Sequence, residues 1–289
     1  MKRVGFSAAF AAALAGILGG TVILGLHQDS QHRPQAAEHW SLIWHDEFEG
    51  AAGATLDPAK WAFDLGNGGS NRGWGNHELE EYTGDLGNVF QDGSGHLVIR
   101  ALRTPDRRYT SGRIKTQGKF SFVYGKVEAR IKIPYAKGVW PAFWMLADTY
   151  PRTPWPESGE IDIAENFGEA SGDRSTNHGT LHGPGFAGVG MSGVYRTPDG
   201  SALADDFHIY SAEWAPGSLE FFVDDISYFK VKAADLPPHC RWVFDDVAFF
   251  ILLDLAVGGS PAPVRYPDAD TPFPQDLIVD YVRVYQRKN

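Results

Sequence analysis

Lys126-Val127-Glu128-Ala129-Arg130-Ile131-Lys132-Ile133 alternates charged and apolar side chains without a break. Successive residues of a strand point to opposite faces. This run therefore turns Val127, Ala129, Ile131 and Ile133 toward a core and its charges outward. The same two-residue period returns near the C-terminus, where Leu277 to Tyr285 reads as a terminal strand. Phe249 to Leu255 is a continuous apolar run, the pattern of a strand covered on both faces. Asp92-Gly93, Pro198-Asp199-Gly200 and Pro216-Gly217 supply turn chemistry between such runs. From Trp40 onward no long, capped helical pattern occurs. The predicted class is all-β, a two-sheet β-sandwich in one domain over residues 40–289.

The totals agree with that class. The chain has 289 residues, 43% of them apolar and 13% aromatic, with 33 glycines and 18 prolines, a mixture suited to short strands and tight turns. Its formal net charge of −10 argues against a nucleic-acid partner, which calls for a basic face. The single cysteine, Cys240, rules out an intrachain disulfide and a cysteine metal cluster, and reads as a small buried hydrophobe.

Lys2 and Arg3 precede an uncharged, largely apolar run from Val4 to Leu26. Its 23 residues are enough for a membrane-crossing helix, which needs roughly 20, and exceed the apolar core of about 7–15 residues in an ordinary signal peptide. Residues 1–26 are thus an export signal or an uncleaved membrane anchor. Either places the remainder outside the cytoplasm, extracellular or periplasmic, given the positive charges before the run. Residues 27–39 are polar, contain Pro34, and read as a linker.

Chemistry concentrates in Gly159-Glu160-Ile161-Asp162-Ile163-Ala164-Glu165. On a strand Glu160 and Asp162 share one face while Ile161 and Ile163 take the other. Regular alternation would put the next acid at 164, but Ala occupies that position and the acid stands at 165. One extra residue at Ile163-Ala164, the two-for-one count of a β-bulge, returns Glu165 to the acidic face. Acids crowded on one face raise the pKa of at least one carboxyl, so a protonated acid can sit beside an ionised neighbour. Glycoside hydrolysis requires that pair. Four strand steps span about 13 Å of backbone at about 3.3 Å each. Glutamate side chains leaning together would shorten the gap toward the separation of about 5–5.5 Å that goes with retention. Asp162 between them would influence the nucleophile's protonation. The competing reading is a solvated strand edge, where acids discourage aggregation.

Aromatic residues favour the first reading. Trp140, Trp144 and Trp155 precede the acids, and Trp74 lies upstream in Gly73-Trp74-Gly75-Asn76. Sugar rings present flat C–H faces that pack on aromatic faces, although a lone Trp is more often core. Trp140 and Trp144 are four residues apart and share a strand face, with Phe143 opposite. Gly66 to Asn76 reads as a long loop of the kind that walls a groove.

Together these segments resemble glycoside hydrolase family 16, in its laminarinase-like (endo-β-1,3-glucanase) branch. The resemblance extends over Trp44-His45-Asp46-Glu47-Phe48, Trp74-Gly75-Asn76-His77-Glu78-Leu79, Tyr124 to Arg130, Trp140-Pro141-Ala142-Phe143-Trp144, the bulged Glu160–Glu165 signature, and Val279 to Tyr285. It implies a concanavalin-like jelly roll with a concave sugar cleft, and hydrolysis of β-1,3-glucan or mixed β-1,3-1,4-glucan through a glycosyl-enzyme intermediate. It also implies Glu160 as nucleophile, Glu165 as general acid/base and Asp162 as assisting acid. Sugar contacts are implied for Asn76, Arg113, Trp140, Trp144, Trp155 and His182. No cofactor is expected for catalysis, and the chain is expected to act as a monomer on β-glucan.

Many members of that family hold a structural calcium away from the cleft, which here would use Glu47, the backbone of Gly95, and Asp280. Asp280 shares a predicted strand face with Ile278, Val282 and Val284, an odd place for an acid without a partner. Calcium suits hard oxygen ligands, and a hydrogen-bonded strand-edge Asp is the equal alternative. Three positions depart from the family pattern. Asp254 stands where Asn is common, Glu80 where Gln is frequent, and Ser260-Pro261-Ala262-Pro263 lacks a customary Trp. They leave the preferred linkage open. A non-catalytic glucan-binding protein and a transglycosylase on the same fold remain the alternatives, and a sulfated-galactan hydrolase is disfavoured by the absence of a dedicated basic groove.

Overall fold

Strand alternation builds two stacked sheets in the computed structural model, which describes residues 39–168, 174–188, 190–245, 247–260 and 266–288. The expected export segment, nearly all of the linker, and the stretch after Ser260 lie outside the described residues. A ten-stranded sheet comprises β1 (Trp40–Asp46), β3 (Glu80–Tyr82), β4 (Val89–Gln91), β5 (Leu97–Arg103), β6 (Tyr109–Ser111), β8 (Gly125–Lys132), β13 (His208–Ala215), β14 (Ser218–Val223), β15 (Ile226–Lys232) and β17 (Gln275–Arg287). A seven-stranded sheet comprises β2 (Ala62–Phe63), β7 (Arg113–Lys115), β9 (Val139–Ala147), β10 (Glu160–Glu165), β11 (Thr176–His182), β12 (Met191–Arg196) and β16 (Phe249–Val257), in the order β12-β11-β10-β9-β16-β7-β2. No α-helix occurs among the described residues. The all-β, jelly-roll-like sandwich anticipated from the sequence is the architecture present.

The core lies between the sheets. Val127, Ala129 and Ile131 of β8 face Phe143 and Met145 of β9, Ile161 and Ile163 of β10, and Ile251 and Leu253 of β16 in one buried cluster. Emptying one such position, as in Phe143→Ala, is expected to cost about 3–5 kcal/mol. β16 is buried at every position. Its other face carries Phe250 and Leu252, which pack with Leu146, Trp144 and Tyr150 in a second apolar cluster on the site side of the sheet.

Two expectations require correction. Asp280 does not share a face with Val282 and Val284. Opposite β8, the register of β17 shifts between Val279 and Tyr281, so Asp280 is the extra residue of a bulge. Leu277 and Val279 point inward before it and Val282 and Val284 after it, while Ile278 and Asp280 stay half-exposed. Asp280 has a partner there, the Arg130 guanidinium at 2.6 Å. Cys240 is half-buried rather than fully enclosed.

Candidate active site

β10 pairs antiparallel with β9 on one side and β11 on the other, and both registers slip at the same place. Across β9, Asp162 pairs with Trp144 and Ala164 with Phe143. Across β11, Asp162 pairs with Thr180 and Glu165 with His178. β10 therefore carries one extra residue around Ile163, the two-for-one arrangement expected of Ile163-Ala164. Ile161 and Ile163 are fully buried in the sandwich, and Ala164 is 4% exposed. The three acids are left on the opposite face.

Each acid is held by a neighbour from an adjoining strand. Trp140 Nε1 donates to Glu165 Oε1 at 3.1 Å, and Thr180 Oγ1 to Glu165 Oε2 at 3.3 Å. His182 stands directly across from Glu160. Its Nδ1 donates to the Ala187 carbonyl at 2.7 Å, which leaves Nε2 directed at the acids, 3.4 Å from Asp162 Oδ2 and 3.9 Å from Glu160 Oε1. Trp155, exposed, has its ring 5.9 Å from that of His182.

Burial sets the electrostatics. It pushes Glu160 up to about 8, helped by the charge of Asp162 and opposed by His182. Burial likewise raises Asp162, although His182 favours its ionised form. Glu165 is raised well above the ordinary carboxylate range, by burial first and then by Asp162, with Trp140 partly offsetting this. Burial works against a charge on His182, but Asp162 and Glu160 outweigh it and push the imidazole up to about 10. The arrangement crowds raised carboxyls at Glu160 and Glu165 around Asp162, so that one can hold a proton while a neighbour ionises. Acid–base chemistry at an acetal needs this pairing.

The aromatic wall continues across β9, β16 and β7. The Arg113 guanidinium lies 4.7 Å from the rings of both Trp74 and Trp144, and its Nε is 3.1 Å from Asp64. Asp254, paired with Arg113 in the register of β16 and β7, accepts from Trp144 Nε1 at 2.7 Å and from the Tyr82 hydroxyl at 3.3 Å. Burial raises Asp254 to about 7, against the pull of Arg113. Asn76 is at the end of the loop that carries Trp74. Its Nδ2 donates to Glu78 Oε1 at 3.0 Å, and its carbonyl accepts from the Ser260 N–H at 2.6 Å.

The structure thus gathers Glu160, Asp162, Glu165 and His182 at one point, with Trp140 touching Glu165 and Trp155 beside His182. Arg113 and Trp144 form an adjoining wall, and Asn76 anchors the loop next to it. Sequence reasoning missed Thr180 and the part played by Asp254. Thr180 had a signal: His178, Thr180 and His182 fall two apart on one strand face. Asp254 lay inside an apolar run, where its partners, more than a hundred residues away, left no local mark.

Glu47, Gly95 and Asp280 do not fit a calcium site. Glu47 makes a two-pronged pair with Arg283 at 2.9 and 2.8 Å, and Asp280 is taken by Arg130. Calcium takes six to eight oxygen ligands and would have to displace both guanidiniums.

Comparison with known proteins places this geometry in context. The family model described as Glycosyl hydrolases family 16 matches residues 80–245. A β-glucanase of Rhodothermus marinus is 38% identical over 277 residues, covering 92% of this chain and 92% of its own. The laminarinase catalytic domain of Thermotoga maritima MSB8 superposes with a TM-score of 0.79 at 41% identity, over 87% of this chain and 100% of that one. An endo-β-1,3-glucanase from Pyrococcus furiosus gives 0.78 at 43% identity, over 86% and 95%.

Proposed function

The chain belongs to glycosyl hydrolase family 16, and from that premise we propose that it is a retaining endo-β-glucanase acting on β-1,3-glucan or mixed β-1,3-1,4-glucan, with Glu160 as nucleophile, Glu165 as general acid/base and Asp162 as assisting acid. The observation that carries the reading is the bulge in β10, which brings the third acid back to the face of the first two.

Glu165, kept protonated by burial and by Asp162, donates its proton to the glycosidic oxygen as the C–O bond breaks. Glu160, ionised, forms a bond to the anomeric carbon from the opposite side. Asp162 and His182 form a charge pair beside Glu160 and hold its carboxylate in place. Glu165, now a carboxylate, removes a proton from water. The resulting hydroxide equivalent displaces Glu160 from the anomeric carbon and restores the starting protonation. Trp140 and Trp144 offer flat faces to the sugar. No step passes through a metal, and calcium at Glu47, Gly95 and Asp280 stays outside the reading. The apolar run from Val4 to Leu26 after Lys2 and Arg3 supports action outside the cytoplasm.

The test is a product profile on laminarin and lichenan with the wild-type protein and Glu160→Gln. Wild type should release oligosaccharides of several lengths from both polymers or from laminarin alone, and Glu160→Gln should release none. Products longer than the added oligosaccharide would identify transglycosylation instead. Undiminished hydrolysis by Glu160→Gln would overturn the assignment.

A further inference from the structure

We propose that Glu160, Asp162 and His182 form a zinc-binding site in the floor of the cleft, and that zinc bound there excludes the polysaccharide. One ligand atom from each of the three falls within 4.8 Å of the others, and no other set of three His, Cys, Asp or Glu ligand atoms converges in this way among the described residues.

The spacing suits a small tetrahedral ion. Zinc bonds to nitrogen and carboxylate oxygen are about 2.0–2.2 Å, so neighbouring ligand atoms of a tetrahedral site stand about 3.3–3.6 Å apart. His182 Nε2 lies 3.4 Å from Asp162 Oδ2 and 3.9 Å from Glu160 Oε1. A small rotation of the Glu160 side chain closes the second distance. The imidazole is oriented by an outer partner, as metal-bound histidines commonly are: Nδ1 donates to the Ala187 carbonyl, and Nε2 is thereby aimed at the carboxylates.

Asp162 is 4% exposed, and its buried Oδ2 faces the His182 imidazole at 3.4 Å without a formed hydrogen bond. Zinc bound there would take the place of the imidazole proton and face that oxygen directly. The mixed nitrogen and oxygen set suits zinc better than calcium or magnesium, which take oxygen ligands in larger number. Glu160 keeps 20% of its side chain exposed, so the fourth position of the ion opens to the cleft. Three protein ligands and one open position form the pattern of an accessible rather than a closed zinc site.

The metal site itself stands on this geometry alone, while the exclusion of polysaccharide rests on the hydrolase reading. The experiment is calorimetric titration of the tag-free full chain with zinc chloride, in wild type, His182→Gln, Glu160→Gln and His208→Gln. His208 with Asp224 is a two-ligand pair elsewhere on the surface and serves as the control. Wild type and His208→Gln should bind one zinc with the same affinity. His182→Gln and Glu160→Gln should each bind at least about tenfold more weakly, the scale that even an outer partner of a metal ligand sets. Melting curves without metal establish that each variant is folded. In wild type, zinc should raise KM for laminarin and leave kcat unchanged, with full recovery on adding EDTA. Unchanged zinc affinity in both folded site variants, or loss of binding in His208→Gln, overturns the metal site. Zinc that lowers kcat at fixed KM overturns the exclusion. Zinc binding lost in the site variants of a chain that does not cleave laminarin would keep the site and remove the hydrolase reading.

Discussion

Trp140 donates its indole N–H to Glu165 across 3.1 Å, so the ring offered to the sugar and the carboxyl that handles the proton act as one unit. The two belong to neighbouring strands, and only the extra residue in β10 brings them into reach. Trp140→Phe keeps an aromatic face and removes the donor. A hydrogen bond to a charged group is worth about 1.5–3 kcal/mol, so kcat should fall about 10- to 100-fold. The bond favours ionised Glu165; without it the Glu165 pKa rises and the alkaline limb of the rate profile moves to higher pH. An unmoved limb would show that the bond does not reach the acid.

The rate profile of the wild type should be bell-shaped. Glu160 must be ionised and Glu165 protonated, and both are raised by burial. In buffer containing EDTA, kcat/KM on laminarin is expected to rise through an ascending limb above the ordinary carboxylate range of about 4.5 and to fall through a second limb at higher pH. An ascending limb at or below pH 4.5 would contradict the buried placement of Glu160.

Glu80 couples stability to pH. It is fully buried, accepts the Val257 N–H at 2.6 Å, and is raised well above the ordinary range by burial and then by the charge of Glu78. Its folded-state pKa exceeds the unfolded one, so the folded chain keeps a proton that the unfolded chain releases. Stability from Glu80 is therefore fully present below about pH 4.5 and is lost as pH rises through the folded pKa. The melting temperature should decline toward alkaline pH. Glu80→Gln, a neutral side chain of the same shape, should flatten that decline; parallel curves for the two proteins would refute it.

Asp254 supports the aromatic wall. Asp254→Ala would leave the Trp144 indole N–H without its acceptor, and one unmet buried donor costs about 1–3 kcal/mol. Urea unfolding should report that loss, and KM for laminarin should rise. Asp254→Asn retains an acceptor for Trp144 and should lose less stability. Equal effects of the two substitutions would place the importance of Asp254 in its charge opposite Arg113 instead.

Chelation should leave the fold intact. Glu47 and Asp280 are neutralised by Arg283 and Arg130, so EGTA should shift the melting temperature by less than about 2 °C, on the order of 1 kcal/mol for a chain of this size. A larger fall, reversed by calcium chloride, would show that both guanidiniums yield to the ion.

Much of this architecture was legible in the residues because it follows from period-two patterning. The charged–apolar alternation of Lys126–Ile133, the continuous burial of β16, and the common face of Trp140 and Trp144 needed no tertiary information. The bulge at Ile163 was legible for a related reason: an acid one residue out of phase, beside apolar residues that must stay inward, has few other solutions. The bulge at Asp280 was not, since Ile278, Asp280, Val282 and Val284 read as regular alternation and only pairing with β8 reveals the slip. Partners far apart in the chain were also hidden. The hold of Asp254 on Trp144 and the stack of Arg113 between Trp74 and Trp144 arise from sheet order, which local pattern does not encode.

The most direct test is azide rescue of Glu160→Ala and Glu165→Ala on a 2,4-dinitrophenyl β-glycoside of a laminarin oligosaccharide, whose phenolate leaves without a proton, with the anomeric configuration of the products read by proton NMR. Loss of Glu165 should lower the rate about 10²- to 10⁴-fold, as for a missing general acid/base. Azide should restore turnover by attacking the glycosyl-enzyme intermediate, giving the β-glycosyl azide. Glu160→Ala should give only the α-glycosyl azide, by direct attack from the face that Glu160 has vacated. The opposite assignment of anomers, or a Glu165→Ala protein as active as wild type without azide, would contradict the convergence of these two glutamates on one glycosidic bond.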